Sequence, residues 1–388
     1  MNFVEYKYKD IGKIRSGKRL KKGYVVSNTK SNNRYIRVRD IYNGMINEKD
    51  VQYITDEAAS SIKKYRVYTN DLIISVVGTV GAIATIPEAL NGAYLTENCD
   101  NLLVDEKICL KEYLKYYLMS SEGQNEINSH IVGTTQPKLP IYGIEAFNIK
   151  VPSIEIQSKI IKLLNILNKK ILLNTYTNNN LQELLLYKYN SYFQGKNANG
   201  KLKEIVLKTN RTIKKDKINK SLKYYPIDVL PKNNIILQDG KSIEEAQSSL
   251  IEFNKNEILV GAMRVYFHRV CLTNNSGITR NTTFVLKPKD EDYLYYSLLT
   301  LYQESFINYA NITSKGTTMP YAVWENVCSE FDIYIPTKEE LEEFNIVCKA
   351  IINKMNINQA ENQKLEQIRD TLLPKLMNGE IDLDKIEI

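Results

Sequence analysis

The chain has 388 residues, 43% of them hydrophobic, which is enough for two or three domains with cores of their own. No run of 18 or more apolar residues occurs, so the sequence predicts no membrane-spanning segment. The first residues, MNFVEYKYKDIGKIRSGKR, lack the apolar core of a signal peptide, and we therefore expect a cytoplasmic protein.

The composition also bears on redox state, metals and partners. The five cysteines are scattered and form no CxxC pair, which favours reduced thiols over a disulfide framework. Only two histidines are present, His130 and His268, so we expect neither a structural zinc nor a facial iron site. A formal net charge of +7 and 27 tyrosines suit nucleic-acid binding. Abundant Asn, Lys, Ile and Tyr are equally what an AT-rich genome would encode.

The first basic stretch nearly matches a nucleotide-binding motif. Residues 12–19, GKIRSGKR, fit the phosphate loop GxxxxGK[ST] except that Arg19 stands where a hydroxyl must hold magnesium. No apolar strand leads into the stretch, so we reject nucleotide binding. Lys18 and Arg19 are then candidates for contacts with DNA phosphates, or simply part of a solvated charged loop.

Residues 1–152 have the pattern of a strand-rich α+β domain. In YIRVR, apolar residues alternate with Arg37 and Arg39, which predicts a half-buried strand with a basic outer face. The run NDLIISVVGTVGAIATI predicts two strands interrupted at its glycines, NLLVD a third, and LKEYLKYYLMSSEGQNEIN one short helix. In the loop GTTQPKL, residues 133–139, the threonines could reach DNA or could instead cap a turn.

Two long amphipathic helices are predicted at 153–193 and 337–377, each after a short strand that ends in proline. Apolar residues recur in both at steps of three and four, the pattern of one buried helix face. The polar interruptions coincide as well, because Asn174 corresponds to Asn358 at an offset of 184. We expect an antiparallel coiled coil in which buried asparagines meet and penalise slipped registers, although two unrelated amphipathic helices are the alternative. About 36 helical residues would make a rod of roughly 54 Å.

The predicted helix seam draws five residues from each helix. They are Ile160, Leu167, Ile171, Asn174 and Leu181 in the first helix and Phe344, Ile351, Met355, Asn358 and Leu365 in the second.

The elements around the first helix recur around the second. NDLII is matched by NEILV, GTTQP by GTTMP, and FNIKVP by FDIYIP. Gly133 corresponds to Gly316 at an offset of 183, so a unit of domain plus helix is duplicated. The predicted domains are 1–152, a first helical segment 153–198, 199–336, and a second helical segment with a C-terminal tail 337–388. The predicted fold class is α+β, with two pseudo-symmetric strand-rich domains separated by two long antiparallel coiled-coil helices.

The halves differ in the run GAMRVYFHRVC, where apolar residues alternate with Arg264, Tyr266 and His268. This alternation predicts a strand whose outer face could meet bases or phosphates. His268 could equally be a hydrogen-bonded surface histidine, and Arg280 could bond loop carbonyls rather than DNA. The candidate DNA-binding residues are Lys18, Arg19, Arg37, Arg39, Thr134, Thr135, Gln136, Lys138, Arg264, Tyr266, His268, Arg269, Arg280, Thr317 and Thr318.

These features together resemble the specificity subunit of type I restriction–modification systems, over essentially the full chain. The resemblance rests on the duplicated GTTQP and GTTMP elements that run into long helices, on VGTVG and VGAMR, and on the closing run IRDTLLPKLMNGEI. One departure is Met319, which stands where the first half has Gln136, and this puts a shared base-reading role for that position in doubt.

The resemblance implies that each globular half is a target recognition domain for one half of a split, double-stranded DNA site. It implies that the helices dock two methyltransferase subunits, which would carry S-adenosylmethionine and methylate adenine. Restriction subunits using ATP and magnesium could join for cleavage. We expect no cofactor, metal or catalytic residue on this chain, since no Asn or Asp precedes Pro-Pro-Tyr or Pro-Pro-Phe and two histidines supply no convincing catalytic triad. The alternatives are a methyltransferase with its own catalytic domain, a specificity chain of another modification class, and a coiled-coil scaffold with or without DNA affinity.

Overall fold

The structure is a computed structural model that describes residues 2–42, 44–48, 50–381 and 383, so residues 384–388 of the predicted tail lie outside the described residues. The predicted α+β class is confirmed. Within the described residues, no helix combines the length and the apolar character that crossing a membrane requires. The predicted domain boundaries stay predictions.

The elements of the first half end with a long helix. The strands are β1 (Val4–Lys7), β2 (Gly12–Ser16), β3 (Arg34–Ile36), β4 (Ile41–Tyr42), β5 (Met45–Ile46), β6 (Gln52–Tyr53), β7 (Leu72–Ser75), β8 (Ile83–Thr85), β9 (Tyr94–Leu95), β10 (Cys99–Val104) and β11 (Asn148–Val151). The helices are α1 (Tyr8–Ile11), α2 (Asp56–Ser61), α3 (Lys111–Met119), α4 (Ser121–Ser129), α5 (Ile141–Glu145) and α6 (Ile154–Phe193).

The elements of the second half follow the same order. The strands are β12 (Gly200–Lys201), β13 (Val206–Thr209), β14 (Arg211–Ile213), β15 (Leu250–Phe253), β16 (Ile258–Gly261), β17 (Val270–Leu272), β18 (Gly277–Arg280), β19 (Thr283–Pro288) and β20 (Asp332–Ile333). The helices are α7 (Leu202–Ile205), α8 (Leu294–Tyr302), α9 (Glu304–Ile312) and α10 (Lys338–Met377).

The main sheet has the same topology in both halves. Its order is β2-β10-β7-β8 in the first and β13-β19-β16-β17 in the second, and every neighbouring pair is antiparallel. A two-stranded sheet also recurs, as β1-β11 and β12-β20. Asn70 and Asn256, which precede the equivalent strands β7 and β16, both have positive φ, 66° and 64°. The duplication read from the sequence is therefore a duplication of structure.

The halves differ in the segment inserted before the strand that is third in the sheet order, β7 in the first half and β16 in the second. Between β2 and β7 lies the sheet β6-β3-β9, in which β3 and β9 run parallel. Between β13 and β16 lie β14 and β15, which form with β18 an entirely antiparallel sheet. The divergence between the halves is thus concentrated in these insertions.

The chain divides into two compact units. Unit 1 comprises Met1–Lys169 and Leu365–Ile388, and unit 2 comprises Lys170–Lys364. Each long helix spans 40 residues and contributes to both units. In unit 1, apolar residues of the main sheet and of α3 pack with Ile160 and Leu164 of α6 and with Leu373 and Leu376 of α10.

In unit 2, α6 and α10 pair antiparallel through buried asparagines. The Asn358 amide donates to Asn178 Oδ1 at 2.8 Å, and the Asn178 amide donates to the Met355 carbonyl at 3.0 Å. The Asn174 amide donates to Asn362 Oδ1 at 2.9 Å. Because pairing in a buried layer satisfies groups that would otherwise be stranded without water, this contact fixes one register of the two helices.

The predicted seam residues occupy two environments. Ile160, Asn174, Phe344, Ile351, Met355 and Asn358 are buried, while Leu167, Ile171, Leu181 and Leu365 are half-buried. Leu184, three positions after Leu181, belongs to the face that the apolar period predicts to be buried, but it is 40% exposed while its neighbour Leu185 is fully buried. Leu185 belongs to the core of unit 2, so the globular part, and not only α10, decides which face of α6 is covered there.

One further expectation from the sequence is corrected. The predicted single helix after β10 is two, because Ser120 ends α3 and caps α4 with its hydroxyl, which accepts from the Gly123 amide at 3.2 Å. Tyrosine abundance also has a structural cause: Tyr8, Tyr113, Tyr225 and Tyr296 are among the largest fully buried side chains. The five cysteines all lie among the described residues, where they are buried and form no disulfide, as expected.

Candidate nucleic-acid interface

Unit 1 presents an exposed loop that is closed at its base. The first threonine loop, residues 133–138, is flanked by Val132 and Lys138, which exchange backbone hydrogen bonds of 2.8 and 2.9 Å. Gly133 has φ +86°, and a Cβ there would lie 3.1 Å from the Gln136 carbonyl oxygen, so glycine is required at this position. Thr134, Thr135, Gln136 and Lys138 are all exposed.

Unit 2 presents the equivalent loop. The second threonine loop, residues 316–321, is closed by Lys315 and Tyr321, whose two backbone hydrogen bonds are both 2.9 Å. Gly316 has φ +86°, the same value as its counterpart in unit 1. Thr317 and Thr318 are exposed. The sequence-predicted threonines therefore occupy the same position in both units, with hydroxyls free to meet a ligand.

Each threonine loop lies beside the turn that leaves the third strand of the main sheet. In unit 1, Val77, just after β7, forms an antiparallel bridge with Lys138. In unit 2, Met263, just after β16, forms the same bridge with Tyr321. Two segments far apart in sequence are thus brought together at one edge of each unit.

The turn after β16 is not the strand that alternation predicted. Residues Val265–Phe267 form a short 3-10 turn between Arg264 and His268, and both flanking residues are left-handed, with φ of 49° and 52°. A non-glycine residue in this region costs about 1–2 kcal/mol. Short alternating runs do not distinguish a strand from such a turn, which is why the prediction failed.

His268 does not face outward as the sequence suggested. It is only 7% exposed, and its ring nitrogens contact Glu304 Oε1 at 3.1 Å and the Tyr302 carbonyl at 2.9 Å. The side chain therefore anchors the turn to α8 and α9 and is not available to DNA in this structure. Tyr266, by contrast, is 49% exposed.

Several of the candidate arginines are engaged within the protein. Arg37 forms an ion pair of 2.9 Å with the fully buried Asp40 and donates to the Asp50 carbonyl at 2.9 Å, so its guanidinium is largely used in folding. It follows β3 and does not lie in the predicted strand. Arg269 donates to the carbonyls of Asp228, at 3.2 Å, and Leu230, and burial lowers its pKa.

Arg280 and Arg39 are less constrained. Burial raises the pKa of Tyr224, and the Arg280 guanidinium beside that phenol opposes the rise. Arg280 Nε is buried without a hydrogen-bond partner among the described residues. Arg39 is exposed, and its one hydrogen bond in the described part of the chain, to Gln52 Oε1, is long at 3.4 Å.

Both units carry an exposed basic segment between the first strand of the main sheet and the next, directly after β2 in unit 1 and after β14 in unit 2. In unit 1 it includes Lys18, whose ammonium lies 5.7 Å from the Tyr65 ring centroid, and Arg19, which pairs with Glu97 at 2.8 Å but keeps 82% of its side chain exposed. Residues 12–16 are a strand of the sheet, so the near-match to a phosphate loop has no loop to form.

Sequence analysis missed the counterpart in unit 2. The second basic segment consists of the exposed residues Lys214, Lys217 and Lys220. Unlike Lys223, which pairs with Asp239 at 2.5 Å, these three have no ion pair within the described residues. The signal was available in the density of lysines in the run KKDKINKSLK, which follows β14.

Known proteins resemble this chain in part of its length. Residues 1–183 match the family model described as type I restriction modification DNA specificity domain. This part of the chain therefore resembles a type I restriction–modification specificity domain. Among the described residues, no group of three or more His, Cys, Asp and Glu side chains could hold a metal ion beside it or elsewhere.

Two curated specificity subunits resemble parts of the chain. The type I restriction enzyme HindI specificity subunit of Haemophilus influenzae is 32% identical over 112 residues, 29% of this chain and 24% of the relative. The MjaIX specificity subunit of Methanocaldococcus jannaschii is 25% identical over 167 residues, 43% of this chain and 33% of the relative. The matched segments thus span only about a quarter to a third of these relatives.

The fold likeness extends beyond residues 1–183. The type I restriction–modification S subunit from M. genitalium has a TM-score of 0.58 at 16% identity, and the match covers 97% of this chain and 96% of that one. The chain therefore shares the fold of that structure over nearly its whole length, the second half and both long helices included.

Proposed function

We propose that this chain is the DNA-recognition subunit of a type I restriction–modification complex, in which each unit reads one half of a bipartite site. The observation that carries the proposal is the duplicated edge. In both units a threonine loop and the turn after the third strand in the sheet order recur side by side at equivalent positions, and an exposed basic segment lies between the first main-sheet strand and the next. A surface that serves one ligand twice is the simplest reason for the repeated loop and turn.

The two half-sites should differ in sequence. The insertions before β7 and β16 have different strand arrangements, and the turns beside the threonine loops carry different side chains. Phosphate contacts from the basic segments would position the chain, while side chains at the loops and turns would distinguish bases. An asymmetric target with an unread spacer follows.

We further propose that α6 and α10 bind two methyltransferase subunits and set the spacing of the half-sites. Both helices keep large apolar side chains exposed along their length, which a helix with no partner would not favour. These residues are Ile166, Leu173, Tyr176, Tyr187, Ile346, Ile357 and Ile368, each between 47% and 69% exposed. Forty residues of helix measure about 60 Å, enough to reach past one 34 Å turn of B-DNA.

The chain would then be non-catalytic and act in the cytoplasm. S-adenosylmethionine would be bound by the methyltransferase partner, and ATP and magnesium by restriction subunits where these join. This division is supported by the sequence, which contains no amine-methylating Pro-Pro-Tyr or Pro-Pro-Phe element after Asn or Asp.

The test is to express the chain with its co-purifying subunits and map methylated adenines across the host genome. We expect two short, unlike motifs separated by a fixed number of unread bases. One continuous motif would refute the bipartite reading. Co-purification with a fused methylase–nuclease would favour another modification class, and the absence of a salt-sensitive mobility shift on duplex DNA would leave a scaffold.

A further inference from the structure

The turn that borders the threonine loop is built differently in the two units. In unit 1 it starts and ends with glycines in the left-handed region, Gly78 at φ +87° and Gly81 at φ +82°. In unit 2 the turn is one residue longer, and its two corners are occupied by Arg264 and His268, at φ +49° and +52°. Glycine adopts this conformation freely, whereas residues with a Cβ do not, so unit 2 accepts backbone strain that unit 1 avoids.

One of the two strained residues has a clear structural use. The His268 ring is buried and bridges Glu304 and the Tyr302 carbonyl, which ties the end of the turn to α8 and α9. Its side chain therefore holds the turn in one conformation.

The other strained residue has no such use. The Arg264 main-chain N–H donates to the Pro320 carbonyl at 2.7 Å, a bond that glycine would make equally well. Its guanidinium forms no hydrogen bond or ion pair with any described residue, and Nε is buried without a partner. Folding alone gives no reason for arginine at this corner.

The surroundings of Arg264 are suited to a base edge. Tyr266 at the apex of the turn and Met319 and Tyr321 in the adjacent threonine loop are each 49% exposed. The corresponding turn of unit 1 offers only the short side chain of Thr79 between its glycines and the half-buried Val80. The two units thus differ in chemistry at the first corner of the turn, where both backbones are left-handed.

We infer that the 264–268 turn is a base-reading element of unit 2 with no counterpart in unit 1, in which Arg264 recognises guanine and His268 is a positioning residue. The guanidinium can donate two hydrogen bonds to guanine O6 and N7 in the major groove from a rigid planar fork, which the flexible lysine ammonium lacks. Because the backbone is fixed on both sides of Arg264, its left-handed conformation sets the direction of the guanidinium. This inference rests on the proposed function and assigns a base to one of the half-sites.

The experiment selects sites from a pool of randomised duplexes with the full chain, alone and in the complex it forms with its methyltransferase partner. Arg264→Gly removes the side chain and relieves the strained corner, and Arg264→Lys keeps the charge but not the fork. Asn326→Gly is the matched control, because Asn326 is an exposed non-glycine residue of unit 2 with φ +57°.

The expected result at one or two positions of a single half-site is the loss of a guanine preference in Arg264→Gly and its weakening in Arg264→Lys. Affinity for the wild-type site should fall about 5- to 150-fold in Arg264→Gly, with the thermal midpoint unchanged or higher. The other half-site and the Asn326→Gly motif should match those of the wild type.

Three outcomes would overturn the inference while leaving the proposed function standing. These are an unchanged motif, a loss of affinity that is uniform across sequences with a shallower salt dependence, and a lowered thermal midpoint. The first removes Arg264 from the interface, the second makes it a phosphate contact, and the third makes it a folding residue. Failure of the wild type to select any motif, in either form, would instead refute the proposed function.

Discussion

Replacing Asn178 and Asn358 by leucine, singly and together, measures what the buried asparagine contact contributes to unit 2. The two side chains are 7% and 1% exposed and share a hydrogen bond of 2.8 Å. Asn358→Leu leaves Asn178 Oδ1 buried without its donor, and Asn178→Leu leaves the Asn358 amide without its acceptor.

A buried polar group that loses its partner costs about 1–3 kcal/mol, whereas removing both partners together is nearly neutral or stabilising. Each single variant recovers part of its loss from the apolar area that leucine buries, so the singles alone are ambiguous. The difference between the change in unfolding free energy of the double variant and the sum of the changes in the single variants is not ambiguous. We expect a coupling energy of about 1–3 kcal/mol in favour of the double variant.

Urea unfolding followed by tryptophan fluorescence reports on unit 2 alone. The chain has one tryptophan, and Trp324 is 4% exposed in the core of unit 2, to which both asparagines belong. Asn179→Leu and Asn353→Leu are controls on exposed positions of the same helices and should change stability by no more than about 0.5 kcal/mol. A coupling energy within error of zero would show that the asparagine contact does not hold the helices in register.

Three further outcomes are expected. Changing the three lysines of the second basic segment to glutamine should make DNA binding less dependent on salt. In a fluorescence titration, the slope of log affinity against log salt concentration should become shallower by up to about 2.7. An unchanged slope would show that these lysines do not contact DNA. Leu185→Ala should destabilise unit 2 by about 2–5 kcal/mol, whereas Leu184→Ala, at 40% exposure, should cost much less; equal losses by urea unfolding would contradict the observed orientation of α6. The Lys196 ammonium, with help from the Thr337 amide and Tyr334 hydroxyl, lowers the pKa of Glu340 to about 2 from 4.5. Since the folded pKa lies below the ordinary value, this stabilisation is present at neutral pH and is lost as the pH falls from about 4.5 through about 2. Glu340→Gln should therefore make the free energy of unfolding less dependent on pH in this range. The same pH dependence in the wild type and the variant would contradict the prediction.

The repeated elements were predictable because their signals are local. Proline-ended strands, a glycine that must be left-handed and a 3.6-residue apolar period each depend on a few neighbouring residues, and β7, β8, β10, β11, α6 and α10 all follow them. The break between α3 and α4 was missed because one serine hydroxyl capping the next helix outweighs a continuous apolar pattern.

The fine structure of the candidate site was not predictable in the same way. His268 is buried because Glu304 and Tyr302, more than thirty residues away, lie over its ring. Arg37 is engaged because Asp40 folds back on it within a 3-10 turn where alternation suggested a strand. Both outcomes depend on tertiary contacts that composition and periodicity do not encode.

The division of the chain into units also bears on the order in which the nascent protein can fold. Unit 2 is one continuous stretch, Lys170–Lys364, and its core can close before synthesis has finished. The core of unit 1 waits for Leu373, Leu376 and Met377, which join residues made more than two hundred positions earlier. Until α10 has left the ribosome, the apolar face that Ile160 and Leu164 contribute to that core stays uncovered, and the nascent chain is exposed to aggregation during this interval.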